Sequence, residues 1–126
     1  MEAPSRTVLL VEDDRDVRAA LAIVLADEGF EVLAAPNGFD ALTALESREP
    51  DVIILDWMMP VVDGADFVRA LRAEYHLTTP VLVITAGRVD QGQALSAGAD
   101  DFLEKPFDIA DLIARVRKLA ERRAAT

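Results

Sequence analysis

The chain has 126 residues, 52% of them apolar, and a formal charge of −10 at pH 7. That length suits one domain with a real core, and a surface this acidic argues against binding a phosphate backbone by itself. There is no cysteine, which excludes disulfides and thiolate metal sites. No apolar run approaches the roughly 20 residues of a membrane span, and none follows Met1, so no signal peptide is expected.

The predicted elements alternate. Residues 6–11, "RTVLLV", read as a strand, and Val17, Ala20, Leu21, Val24 and Leu25 follow at helical spacing. Residues 30–35, "FEVLAA", form a second strand, followed by a helix carrying Leu42 and Leu45. Residues 51–55, "DVIIL", are the third, and Phe67, Val68, Leu71 and Tyr75 mark the helix after it. The fourth strand is 80–85, "PVLVIT". The segment 88–97 behind it is flanked or interrupted by Gly87, Gly92 and Gly98. Each interior glycine costs a helix about 1 kcal/mol against alanine, so a short, mobile helix is expected there. A fifth strand at 100–104 leads to the clearest stripe, Ile109, Leu112, Ile113, Val116 and Leu119, and the tail from 121 is expected to fray. Five such units with short connections imply a parallel sheet with helices on both faces. "VLLV", "VIIL" and "VLVI" are apolar throughout, as strands covered on both sides are.

In an open sheet of this kind ligands bind beyond the carboxyl ends of the strands. Glu12, Asp13 and Asp14 follow the first strand, Asp56 the third and Lys105-Pro106 the fifth, while Thr85 ends the fourth. With strands one and three adjacent, Glu12, Asp13 and Asp56 converge. Two unit charges 4 Å apart repel by about 4 kcal/mol at an effective dielectric of 20. Mg²⁺ relieves such a cluster, because it takes oxygen ligands and binds through one or two carboxylates plus a phosphate. Lys105 adds a positive charge and Thr85 a hydroxyl. A carboxylate nucleophile, a cation site, a lysine and a hydroxyl are the parts for phosphoryl transfer onto Asp56. Trp57, next in sequence, is expected partly exposed on the rim of the site. Asp14 reads as a helix N-cap, Met59 as a turn or core residue, and His76 as a solvent-facing loop residue without a role.

The stretches "LLVEDD", "VIILDWMMPVVDG", "VLVITA" and "AGADDFLEKPF" resemble the receiver domain of bacterial two-component response regulators, over about residues 6–120. The resemblance implies a single domain spanning 1–126, with a doubly wound, flavodoxin-like α/β fold and strand order 2-1-3-4-5. It implies Asp56 as phosphoacceptor, Asp13 as a direct Mg²⁺ ligand, Glu12 acting through water, and the Met58 carbonyl as a third protein ligand. Lys105 and Thr85 would contact phosphoryl oxygens, Phe102 would be an aromatic switch residue, and the Lys105–Pro106 bond would be cis. The implied partners are a histidine kinase or histidine phosphotransfer protein and a downstream effector, in the cytoplasm, without membrane or nucleic-acid contact by this domain.

One departure concerns output. The interval from Thr85 to Lys105 is about two residues shorter than the family pattern, and only Arg88 supplies a basic residue near that helix. Asp100, Asp101, Asp111 and Arg115 do match charged positions of the dimer face in winged-helix members, so a monomer or weak phosphorylation-dependent dimer is expected. Two rival readings remain at this level. A flavodoxin-like cofactor binder would need a phosphate-binding loop where Glu12-Asp13-Asp14 stand. A Mg²⁺-dependent hydrolase with an aspartyl-phosphate intermediate would need an acid where Met58 stands.

Overall fold

The computed structural model describes residues 6–59, 62–86 and 91–124. In chain order the elements are β1 (Thr7–Val11), α1 (Arg15–Asp27), β2 (Glu31–Ala35), α2 (Gly38–Ser47), β3 (Val52–Asp56), α3 (Gly64–Arg69), a π-helical turn (Ala70–Glu74), β4 (Val81–Thr85), α4 (Gln91–Ala97), β5 (Asp101–Glu104) and α5 (Ile109–Ala124). The five strands form one parallel sheet in the order β2-β1-β3-β4-β5. Strand order, parallel pairing and alternation of elements agree with the expectation from sequence.

The central strands are apolar at every position because both faces are covered, and alternate residues serve different layers. Leu9, Val11, Ile53, Leu55, Val81 and Val83 pack with Ala41, Leu45, Phe67, Leu71 and Ala94 of α2, α3 with its π turn, and α4. Val8, Leu10, Val52, Ile54, Leu82 and Ile84 pack with Leu21, Leu25, Leu112, Val116 and Leu119 of α1 and α5. At about 25 cal/mol per Å² of apolar area buried, two such layers hold the strand ends rigidly enough to carry a site.

Four local expectations need adjustment. Ala20 is exposed on α1, and Ile109, the first residue of α5, is 43% exposed; both sit on the solvent side of otherwise buried stripes. α5 continues to Ala124 instead of fraying at 121, because Leu119 and Ala120 are buried and Arg122 bonds Asp100 at 2.8 Å. β3 extends one residue further than its apolar run, to include Asp56. α4 is short, at seven residues, while Gly87 and Arg88 lie outside the described residues.

A polar clamp ties the π turn to the segments that lead into β4 and from α4 into β5. Arg72 donates to the carbonyls of Leu77 (2.9 Å), Thr79 (2.7 Å) and Gly98 (2.9 Å) and to Asp100 Oδ2 (2.9 Å). The same Asp100 oxygen accepts from the Val81 amide at 2.9 Å. Gly98 has φ +118°, and a Cβ there would meet Val68 Cγ1 at 3.1 Å and Arg72 Cγ at 3.3 Å. Glycine is required both for the backbone angle and for the approach of Arg72.

Candidate functional site

The strand ends deliver their polar residues to one edge of the sheet. Glu12 directly follows β1, and its amide donates to the Ala35 carbonyl at 3.1 Å. Asp56 closes β3 and is only 5% exposed, while Glu12 is fully buried. One carboxylate oxygen from each of Glu12, Asp13 and Asp56 lies within 4.8 Å of the others. Lys105 Nζ reaches Glu12 Oε1 at 2.8 Å and Asp56 Oδ2 at 4.0 Å. Its amide donates to the Thr85 carbonyl at 2.6 Å, and the Lys105–Pro106 bond is cis. Thr85 is fully buried, and its Oγ1 has no hydrogen-bond partner among the described residues. Burying a hydroxyl unpaired costs about 1–3 kcal/mol, and among the described residues Thr85 Oγ1 bears that cost.

The electrostatics follow from crowding. Burial, then contact with Glu12 and Asp13, pushes Asp56 up to about 8; Lys105 opposes this only in part. Asp13 is held below the usual carboxylate range, chiefly by its hydrogen bond with Asp56, the arrangement of two carboxyl groups sharing one proton. Burial pulls Lys105 down, but its contact with Glu12 and the charges of Asp56 and Glu12 outweigh this and leave it raised. An oxygen-rich cluster that retains a proton at neutral pH suits a hard divalent cation, which takes oxygen ligands and displaces that proton.

Neighbouring residues shape the rim. The Met58 amide donates to Asp56 Oδ1 at 3.2 Å, and the Met58 side chain is 64% exposed. Trp57 does not lie exposed on the rim as expected: it is 8% exposed. The reason is Gly64, whose amide donates to the Trp57 carbonyl at 3.1 Å. A Cβ on Gly64 would come within 2.6 Å of the indole, so the missing side chain is what lets the ring fold inward. Met59 is buried, as a core residue should be, and His76 is exposed in a loop at φ 55°. Phe102 is half-buried, packs against the α2–α3–α4 layer, and borders a groove with Pro106, Asp108 and Arg115.

The loop bearing Glu12 and Asp13 is tied from behind. Asp14 caps α1, its Oδ1 accepting from Asp16 (2.9 Å) and Val17 (3.0 Å). Arg18 Nη1 donates to the carbonyls of Glu12 (2.9 Å) and Asp13 (3.4 Å). Sequence reading passed over Arg18, since a lone arginine on a first helical turn carries no signal of where its guanidinium lands. On the far side, Arg115 pairs within the chain with Asp101 (2.8 Å) and Asp111 (3.0 Å), and Asp100 pairs with Arg72 (2.9 Å) and Arg122 (2.8 Å).

Comparison with known proteins agrees with this arrangement. Residues 8–117 match the family described as "Response regulator receiver domain". The chain is 48% identical over 124 residues to the transcriptional regulatory protein PrrA of Mycobacterium tuberculosis, covering 97% of this chain and 53% of that protein. It is 38% identical over 122 residues to the DNA-binding response regulator MtrA of Mycobacterium bovis, covering 97% and 54%. The chain thus spans about half the length of these curated relatives. Among solved structures, the receiver domain of Francisella response regulator 1452 superposes with a TM-score of 0.87 at 33% identity, covering 94% of this chain and 98% of that one. The Vibrio cholerae chemotaxis protein CheY4 does so with a TM-score of 0.86 at 32% identity, covering 92% and 99%. The parallel sheet, the acids gathered at its strand ends and these matches lead to one conclusion: the chain belongs to the response regulator receiver domain family.

Proposed function

We propose that Asp56 accepts a phosphoryl group from the phosphohistidine of a histidine kinase or a histidine phosphotransfer protein. One observation carries this reading. Asp56 meets Glu12, Asp13 and Lys105 at a strand-end edge where a buried hydroxyl, Thr85 Oγ1, has no partner among the described residues. A carboxylate oxygen of Asp56 forms the new O–P bond as the donor's N–P bond breaks. The electron pair leaves with the imidazole, which takes a proton from solvent.

Glu12 (through water), Asp13, Asp56 and the backbone carbonyl of Met58 would hold Mg²⁺, which when bound neutralises the carboxylates and the charge of the incoming phosphoryl group. The chain's own groups do the rest. Lys105 moves its charge from Glu12 toward the phosphoryl oxygens, and Thr85 donates its free hydroxyl to one of them. As Thr85 is drawn in, Phe102 turns inward, and the surface of α4, β5 and α5 changes for a downstream effector protein or domain to read. The domain, 1–126 as a single unit, assists its own phosphorylation and dephosphorylation and binds no nucleic acid itself. It works in the cytoplasm as a monomer or a weak phosphorylation-dependent dimer, with Arg115 already paired within its own chain.

The test is intact mass after incubation with acetyl phosphate, with and without Mg²⁺. The parent should gain one phosphoryl group in Mg²⁺ only, and Asp56→Asn none. An equal gain in both proteins would show that another residue is the acceptor.

A further inference from the structure

Arg18 engages every backbone carbonyl of the acidic loop. Its guanidinium donates to Glu12 O at 2.9 Å and to Asp13 O at 3.4 Å, and its own amide donates to Asp14 O at 2.9 Å. One residue therefore fixes three consecutive peptide planes. The loop is also held in front, where Glu12 takes Lys105 on Oε1 and the Asp14 amide on Oε2 at 3.3 Å. Among the described residues Asp13 has no cationic tether of that kind: it is exposed, and its carboxylate bonds to the neighbouring acids Asp56 and Glu12. That bond lasts only while the carboxyl groups share a proton; with both ionised, their repulsion pushes Asp13 toward water. What opposes the swing is the backbone, and the backbone is held by Arg18.

We infer that Arg18 is a positioning residue for the cation site: it keeps the Asp13 carboxylate facing Asp56 and so preorganises the acids for a divalent ion. It touches neither the ion nor the phosphoryl group. The inference rests on the reading of Glu12, Asp13 and Asp56 as the Mg²⁺ site. Without Arg18 the metal-free acids separate and relax, and cation binding must gather them again. Loss of a residue that orients metal ligands from behind costs about 10–100-fold in metal affinity. Both carbonyls are met by one nitrogen, Nη1; the lysine side chain ends one bond short of that position and carries a strongly hydrated ammonium on a flexible stem, so it restores little.

The experiment is calorimetric titration of Mg²⁺ into the parent, Arg18→Ala and Arg18→Lys, with melting temperatures of each protein with and without Mg²⁺. The expected result is Kd weakened about tenfold or more in Arg18→Ala and several-fold in Arg18→Lys, with a smaller Mg²⁺-induced rise in melting temperature. A purely structural role would lower the melting temperature equally with and without Mg²⁺ and leave Kd unchanged; that outcome overturns the inference. If Arg18→Ala does not fold, Arg18→Lys with the parent's Kd overturns it as well. Absence of any Mg²⁺ response in the parent would overturn the cation site itself, and the role of Arg18 with it.

Discussion

Consider Asp56→Asn in the presence of a chelator, between about pH 5 and pH 7. Burial, with Glu12 and Asp13, raises Asp56 to about 8 in the metal-free protein, against about 3.9 in an unfolded chain. Between those values the folded state keeps a proton that the unfolded state releases. Stability therefore falls as pH rises through this window, with no penalty below the unfolded pKa and the full penalty above the folded one. Asp13, held low, is ionised in both states over most of the range and drops out. One proton corresponds to at most about 1.4 kcal/mol per pH unit, or roughly 2.7 kcal/mol from pH 5 to pH 7. At about 4 °C per kcal/mol for a domain of this size, the melting temperature of the parent should fall by up to about 10 °C, and that of Asp56→Asn by far less. Thermal melts of both proteins in chelator at three pH values measure the difference in slope, which cancels general charge repulsion. Saturating Mg²⁺ should flatten the parent's slope, because proton and cation compete for the same oxygens. Parallel slopes for parent and variant in chelator would refute the assignment of the proton to Asp56.

Other perturbations test the surroundings. Gly64→Ala places a Cβ 2.6 Å from Trp57 Cε3 and 2.9 Å from Trp57 Cα; it should cost about 2 kcal/mol in urea unfolding and shift Trp57 emission to longer wavelength. Arg72→Leu leaves Asp100, 18% exposed, without its inner partner and strands three carbonyls; a loss of about 3 kcal/mol is expected, measured by the same unfolding. Thr85→Val replaces an unpartnered buried hydroxyl with a methyl of similar shape. It should stabilise the unphosphorylated protein by about 1 kcal/mol, while amide exchange in α4 and β5 no longer responds to a beryllofluoride mimic.

The scaffold was legible because its signals are local. Val8 to Val11, Val52 to Leu55 and Val81 to Ile84 are apolar at every position, which only a doubly covered strand tolerates, and Asp14 at a helix start is a strong cap. The site was legible because the fold rule places strand ends together, so Glu12, Asp13, Asp56, Thr85 and Lys105 could be grouped before any distance was known. What stayed hidden depends on tertiary neighbours. Trp57 is buried because Gly64, seven residues on, lacks a side chain, and no pattern at Trp57 itself encodes that. The π turn at Ala70–Glu74 adds no periodicity of its own, and the targets of Arg18 and all but one of the targets of Arg72 are backbone carbonyls, which every residue possesses.

An open sheet has two borders where backbone groups lack a neighbouring strand, and such borders invite pairing with another molecule. Here they are β2 and β5. β5 is only four residues long, with Asp101 and Glu104 at its ends. Antiparallel pairing of two copies in full register would set Glu104 of one against Asp101 of the other at both ends, where Asp101 is already held in an ion pair with Arg115. β2 opens on Glu31, whose carboxylate is gripped by Arg48 at 2.6 Å, so a bulky ion pair stands where a foreign strand would begin to dock. With a net charge of −10 over the whole chain, both borders disfavour the strand-to-strand pairing that starts self-templated β-aggregation.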